Sequence, residues 1–169
     1  DLDSNLSRTD NIESATELIA QAKLANNALA AELLLKASTQ YLQENAPQQA
    51  LFVTNRLSLL PLSEPQHQQN EITKAASLLK LGFAQQAEEL LSSIKPASVH
   101  EDLKKKYWQL LTRVYNDIND DVKSMHAAFT YIEYAYDPND IDNIWYQLRT
   151  FSQWQIKQLS SFRGKYHRG

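Results

Sequence analysis

A chain of 169 residues with a net charge of −3 is long enough for one domain or one short repeat array, and its charge argues against a surface built to neutralise nucleic-acid phosphates. No run of about 18 uncharged apolar residues is present, so no transmembrane segment is predicted. The absence of cysteine excludes disulfides and thiolate sites but leaves the compartment open.

The first residues differ in character from the rest of the chain. Residues 1–8 are polar and acidic, with too little apolar surface to order them, and we interpret them as a flexible tether. Because the chain begins at Asp1 rather than at Met, we expect it to be a piece of a longer protein. Asp10 followed by Glu13 predicts the start of a first helix, which runs to about Leu24.

Helical spacing of apolar residues continues along almost the whole chain, with breakers between the segments. The predicted helices after the first cover residues 28–43, 47–60, 63–81, 83–95, 100–116, 120–136, 141–150 and 152–159. Gly82 is expected to stop one helix in the left-handed conformation, and Ser98 to cap another. We therefore predict an all-α domain over 9–160, followed at 161–169 by a linker or the start of a further helical portion.

Two segments of the sequence, 46–52 and 83–91, are near copies of one another. The small residues Ala50 and Ala87 lie 37 positions apart, and a third step of 37 reaches the small Ser124. This period is close to the roughly 34 residues of a tetratricopeptide repeat, in which alternating small and large residues let helices pack closely. The predicted repeat-packing residues are Ser38, Tyr41, Ala50, Ala75, Leu78, Ala87, Trp108, Thr112, Tyr115, Ser124 and Trp145. We predict about three tetratricopeptide-like hairpins with flanking helices.

Catalytic, metal and cofactor motifs are not found in the sequence. The four histidines fall on different predicted elements without a partner at ligand spacing, and the two acidic clusters that start at Asp117 and Asp137 lack the Gly and Glu of a calcium loop. There is no glycine-rich phosphate loop and no nucleophile elbow. The lysines at 104–106 could form a nucleic-acid patch with Tyr107 and Trp108, but a solvated face beside buried aromatics explains them better. We predict no catalytic residue, metal or cofactor.

The groove of a tetratricopeptide-like array is lined by the first helix of each hairpin. In the third copy the candidate groove residues are Lys106, Gln109, Arg113 and Asn116. The same offsets in the first two copies give Glu32, Leu35, Thr39, Gln69, Ile72 and Ala76, a mixed surface. One hypothesis is that Arg113 and Lys106 bind a carboxylate or acidic patch of a partner. The alternative is that these side chains are only solvated.

Two segments resemble a known family more specifically. Lys106, Tyr107, Trp108 and Gln109 resemble the basic, Tyr, Trp, Gln segment in the N-terminal domain of the LpoA family, outer-membrane lipoprotein activators of class A penicillin-binding proteins. The segment that starts at 140 is similar to a second family motif, with Asp140 where the family more often has Asn, and with Ile141, Asp142, Trp145 and Leu148 in the remaining positions. The resemblance covers roughly residues 12–159.

The resemblance implies a tetratricopeptide-like, non-enzymatic domain at the periplasmic side of the outer membrane. It also implies a lipidated cysteine upstream and a larger domain downstream, through which the synthase partner is mainly contacted, with peptidoglycan as a further candidate partner. No binding residue is carried over from the family. Two other classes stay open: a free-standing adaptor that binds a partner peptide in its groove, and a helical lytic enzyme, which would need a buried Glu in a cleft.

Overall fold

A computed structural model describes residues 14–134, 138–139 and 141–142 of the chain. Seven α-helices and one 3₁₀ turn, with no strand, are found over these residues. These elements confirm the predicted all-α fold. The predicted tether at 1–8, the helices at 143–159, Trp145 and the tail at 161–169 lie outside the described residues. The chain forms two compact units, 1–82 and 83–169.

The first unit contains four helices. They are α1 (Ala15–Leu24), α2 (Asn27–Gln43), α3 (Pro47–Leu57) and α4 (Glu64–Lys80). Consecutive helices pack on one another, and α2 also contacts α4. The buried side chains include Leu18, Leu34, Val53 and Leu57, and Ala37 is fully enclosed among them. The small residues on α2 let neighbouring helices approach closely.

The second unit contains three helices and a 3₁₀ turn. The elements are α5 (Ala84–Ser92), the turn Pro96–Ser98, α6 (Glu101–Asp117) and α7 (Asp121–Tyr134). Helix α6 packs on both α5 and α7. The ring of Tyr134 lies near Lys104, and the ring of Tyr115 lies near Lys123. Since these two pairs link opposite ends of the helices, α6 and α7 are antiparallel.

Three helices end at the same point of the 37-residue period. Asn45, Gly82 and Asn119 have φ angles of 58°, 88° and 59°. The backbone N–H of each bonds the carbonyl oxygen three residues earlier, at 3.1, 3.1 and 3.2 Å. Left-handed residues in this position are the usual way to end a helix. The predicted stop at Gly82 is therefore observed, and the same geometry recurs at two asparagines.

Helix ends differ from the predictions at four places, and one of them is α5, which ends at Ser92 and not at residue 95 because the chain tightens into three-residue turns. Helix α1 begins at Ala15, because Ser14 and Glu17 form a capping box, and the predicted start at Asp10 lies outside the described residues. Helix α3 ends at Leu57, not at residue 60, because the chain tightens into three-residue turns ahead of a proline. Ser98 does not cap α6: its hydroxyl donates to the Lys95 carbonyl oxygen at 2.8 Å and closes the 3₁₀ turn.

The ends of the other helices agree closely with the sequence pattern. Pro47 stands in the first turn of α3, where a missing N–H costs nothing. Ser63 and Gln66 form a second capping box at the start of α4. The Asp120 carboxylate accepts the backbone N–H of Lys123 at 3.1 Å at the start of α7. No helix within the described ranges is long and apolar enough to cross a membrane.

Candidate functional site

The four candidate groove residues share one side of α6. Their spacing of three, four and three residues places Lys106, Gln109, Arg113 and Asn116 within one stripe, about 15 Å long at 1.5 Å per residue. Lys106 and Arg113 are exposed, and the two amide residues are partly exposed. Buried residues of the same helix, such as Val114, hold α6 in its unit and keep this stripe outside the core.

The cations of α6 differ in whether the protein neutralises them. The Lys104 ammonium lies 2.7 Å from a Glu101 carboxylate oxygen, and this hydrogen bond raises the pKa of Lys104. Lys106 and Arg113 have no ion pair with any residue that the structure describes. Lys106 is exposed as a residue. Nearby protein atoms nevertheless remove part of the water around its ammonium group, and this desolvation lowers the pKa of Lys106. The stripe therefore carries two cations that could bind an anionic group.

The positions that correspond to this stripe on α2 and α4 are only partly accessible. Leu35 and Ile72 are buried core residues, and Thr39 and Ala76 are half-buried. Glu32 and Gln69 remain at the surface. On the second unit the candidate positions form a cationic stripe on α6, and on the first unit the accessible ones are a few polar positions on α2 and α4.

An open depression of about 410 Å³ lies between α2 and α4. It is lined by Leu29, Glu32, Leu33, Leu35, Lys36, Gln66 and Gln69. Glu32, Leu35 and Gln69 occupy positions that the 37-residue period assigns to the groove. Lys36, Gln66 and the exposed Leu29 were not predicted, because they lie outside the repeated offsets and are brought together only by the packing of α2 on α4.

The repeat-packing residues are mostly enclosed. Ser38, Ala50, Ala75, Ala87, Thr112 and Ser124 are all 0% exposed, and Leu78 is 7% exposed. Tyr41, Trp108 and Tyr115 are half-buried. Two of these small residues on neighbouring helices are in direct contact, since the Ser124 hydroxyl on α7 donates to the Thr112 carbonyl oxygen on α6 at 3.0 Å. These placements are those that close helix packing requires of small residues.

The histidines within the described ranges lie apart. His67, His100 and His126 are exposed, and His100 Nδ1 lies 3.7 Å from an Asp102 carboxylate oxygen. The His126 ring packs edge-on against Trp108 at 6.3 Å. Over these ranges no group of three His, Cys, Asp or Glu side chains could hold a metal ion. His167 lies outside the described residues.

These observations define an all-α domain of helical hairpins with a cationic stripe on one helix. Comparison with known proteins is more specific. Over 141 residues the chain is 28% identical to a protein from Vibrio vulnificus named penicillin-binding protein activator LpoA, covering 82% of this chain and 23% of that protein. No family model matches the chain.

Solved structures share the same fold. The amino-terminal domain of E. coli LpoA matches with a TM-score of 0.65 and 16% identity, over 92% of this chain and 70% of that one. Full-length LpoA from Haemophilus influenzae matches with a TM-score of 0.64 and 18% identity, over 85% of this chain and 27% of that one. The sequence match and the shared fold together confirm the resemblance to the N-terminal domain of LpoA. The chain spans about a quarter of the length of the Vibrio relative.

Proposed function

We propose that the chain is the N-terminal helical domain of an LpoA-type activator and serves as a non-enzymatic interaction scaffold in peptidoglycan synthesis. The observation that carries the proposal is the agreement of sequence and fold on one protein, since the sequence match is to a penicillin-binding protein activator and the shared fold is that of its amino-terminal domain. A series of helical hairpins offers an extended surface for a partner.

In this proposal the partner is a class A penicillin-binding protein, the peptidoglycan synthase, which a downstream domain contacts more extensively. The domain acts on the periplasmic side of the outer membrane, where a lipidated cysteine upstream of Asp1 anchors the whole protein. Both statements follow from the resemblance to LpoA. The helical domain then provides reach from the membrane and a secondary docking surface.

The docking surface is the stripe on α6. Lys106 and Arg113 lie seven residues apart, about 10.5 Å along the helix, so each can reach a separate carboxylate of a partner. The partial desolvation of Lys106 adds to its affinity for an anion, because the ammonium has already lost part of its hydration. Guanidinium and carboxylate groups also form strong, directional bonds. An acidic patch on the synthase is the complementary partner surface.

The experiment is a pull-down of the synthase by the full-length protein, with and without this domain. Weaker recovery without the domain supports docking, and equal recovery would reduce the domain to a spacer. The double variant Lys106→Ala/Arg113→Ala should weaken recovery about as much as deletion does. A matched control is Lys23→Ala/Lys95→Ala, which removes the same charge from two exposed sites off the stripe.

A second candidate function is a peptide-binding adaptor, which the depression between α2 and α4 favours. Leucine side chains line this depression beside Glu32 and Lys36, which form no ion pair within the described residues. An extended peptide with one apolar side chain and flanking charges of both signs would match it. Replacing both charged residues by alanine should then abolish peptide binding and leave recovery of the synthase unchanged.

A further inference from the structure

A second depression lies on the first unit, where α1, α2 and α3 meet. Its volume is about 310 Å³, at the lower end of the ~300–1,000 Å³ typical of small-molecule sites. It is lined by Ile19, Tyr41, Gln48, Gln49, Phe52 and Val53. Val53 is buried, while the Phe52 side chain is 64% exposed, which is unusual for an aromatic ring.

Among the described residues, no charged side chain lines this depression, although 22% of the chain is charged. An ionic ligand would find no counter-charge there, so the lining selects an uncharged occupant. This contrasts with the depression between α2 and α4, which carries an acid and a base. The two surfaces therefore fit different chemistry.

The polar groups of the lining are unused. The Tyr41 hydroxyl and the side-chain amides of Gln48 and Gln49 make no hydrogen bond within the part of the chain that the structure describes. The two glutamines stand in the first turn of α3, whose N-cap, Ala46, provides no side-chain acceptor. A purely apolar occupant would desolvate these groups without pairing them, which costs free energy. The occupant should bring hydroxyl or amide groups of its own.

We propose that this depression binds a neutral saccharide, in particular a segment of N-acetylated amino-sugar chain. A sugar ring has an apolar C–H face, which packs on the exposed Phe52 ring, and hydroxyl groups at its edge, which pair with Tyr41 and the two glutamine amides. The methyl group of an N-acetyl substituent would pack on Ile19 and Val53, and its amide would form hydrogen bonds with the glutamine side chains. One class of ligand thus satisfies the ring, the amides and the absence of charge.

The test titrates the full chain with tri-N-acetylchitotriose, a soluble neutral oligosaccharide, and follows binding by calorimetry and by NMR shifts. Wild type should bind, and Phe52→Ala should weaken binding about tenfold or more, because a central aromatic contact is lost. Tyr41→Phe, which removes only the hydroxyl, should weaken binding less. Since Phe52 is largely exposed, its replacement should leave the thermal unfolding midpoint unchanged, and this is measured in parallel.

The matched control is Phe83→Ala, which removes another half-exposed aromatic ring that does not line the depression. Its saccharide affinity should equal that of wild type. No saccharide binding by wild type, or equal losses in Phe52→Ala and Phe83→Ala, would overturn the proposal. Binding of an uncharged, end-blocked leucine peptide in place of the sugar would overturn it too. The failure of this proposal and that of the proposed function are distinguishable, since neither saccharide result depends on recovery of the synthase.

Discussion

The hydroxyl of Ser124 on α7 donates a hydrogen bond to the backbone carbonyl oxygen of Thr112 on α6, at 3.0 Å, and both residues are completely buried. A side chain with more volume has no room at this contact. Ser124→Leu should therefore lower the free energy of unfolding by about 1–3 kcal/mol, measured by urea denaturation.

Ser124→Ala keeps the space and loses only the hydrogen bond, so its cost should be about 1 kcal/mol or less. Val122, 71% exposed on the same helix, provides the control for added volume. Val122→Leu should change stability by less than about 0.5 kcal/mol. Equal effects of Ser124→Leu and Val122→Leu would show that α6 and α7 are not closely packed at Ser124.

Gly82 has a φ angle of +88°, and a Cβ added there would meet no atom within 4 Å. The cost of a side chain at this position is therefore conformational and not steric. Gly82→Ala should destabilise the protein by about 1 kcal/mol in urea denaturation, because an alanine is strained at positive φ.

Gly82→Asn should cost less than Gly82→Ala, because asparagine tolerates the left-handed conformation. The chain itself provides the precedent, since Asn45 and Asn119 adopt φ angles of 58° and 59° at the equivalent helix ends. Equal losses for the two substitutions would contradict this account. The corresponding Asn45→Gly and Asn119→Gly variants should be close to neutral.

The helix breakers were predictable because they depend on local chemistry. The stop at Gly82 was recognised from the sequence alone, since few residues adopt positive φ readily. The end of α3 and the role of Ser98 were not, because the turns after Leu57 and the bond from Ser98 to the Lys95 carbonyl oxygen are made by residues that would also fit a longer helix or a helix cap. Boundary errors of a few residues follow where one local pattern fits two conformations.

The candidate site was also only partly predictable from the sequence. That Lys106 and Arg113 share a face follows from helical periodicity, which a sequence displays directly. The two depressions require a particular distance between helices, so the periodicity alone could not reveal that Lys36 adjoins Gln66, or that Phe52 stays exposed. The period did identify Leu35 and Ile72 as groove positions, but offsets alone do not separate a groove wall from the core.

Asn70 is a fully buried amide on α4. Its Nδ2 donates to the Thr54 carbonyl oxygen at 3.1 Å and to the Ser58 hydroxyl oxygen at 3.2 Å, while its Oδ1 is buried and has no hydrogen-bond partner among the described residues. Asn70→Ala should lower the free energy of unfolding by about 2 kcal/mol, because it leaves a cavity and removes both bonds.

Asn70→Leu should cost less than Asn70→Ala, by at least about 1 kcal/mol, since leucine fills the space and removes the unpaired oxygen. The Thr54 carbonyl oxygen would keep the Ser58 N–H and hydroxyl as donors, each at 3.1 Å. The exposed Asn55 on α3 provides the control, and Asn55→Ala should lie within about 0.5 kcal/mol of wild type. A leucine variant less stable than the alanine variant would show that the amide is needed despite its unpaired oxygen.

Tyr107 gives the second unit a dependence on alkaline pH. Its side chain is buried, and its hydroxyl donates to the Leu91 carbonyl oxygen at 3.3 Å, joining α6 to α5. Burial, together with the neighbouring Tyr115, raises the pKa of Tyr107 to about 12. In the unfolded chain the pKa of a tyrosine is about 10, so above that pH the folded state retains a proton that the unfolded state has lost.

The free energy of unfolding should therefore contain a contribution from Tyr107 that is fully present below about pH 10 and is lost as the pH rises toward about 12. Tyr107→Phe cannot ionise and lacks this contribution. Urea denaturation of wild type and Tyr107→Phe at a series of pH values isolates it, because all other titrations are common to both proteins. The stability difference between them should shrink, or reverse in favour of Tyr107→Phe, across this window. A difference that stays constant with pH would mean that Tyr107 titrates alike in the folded and unfolded states, and that its hydroxyl is not held in a desolvated contact with α5.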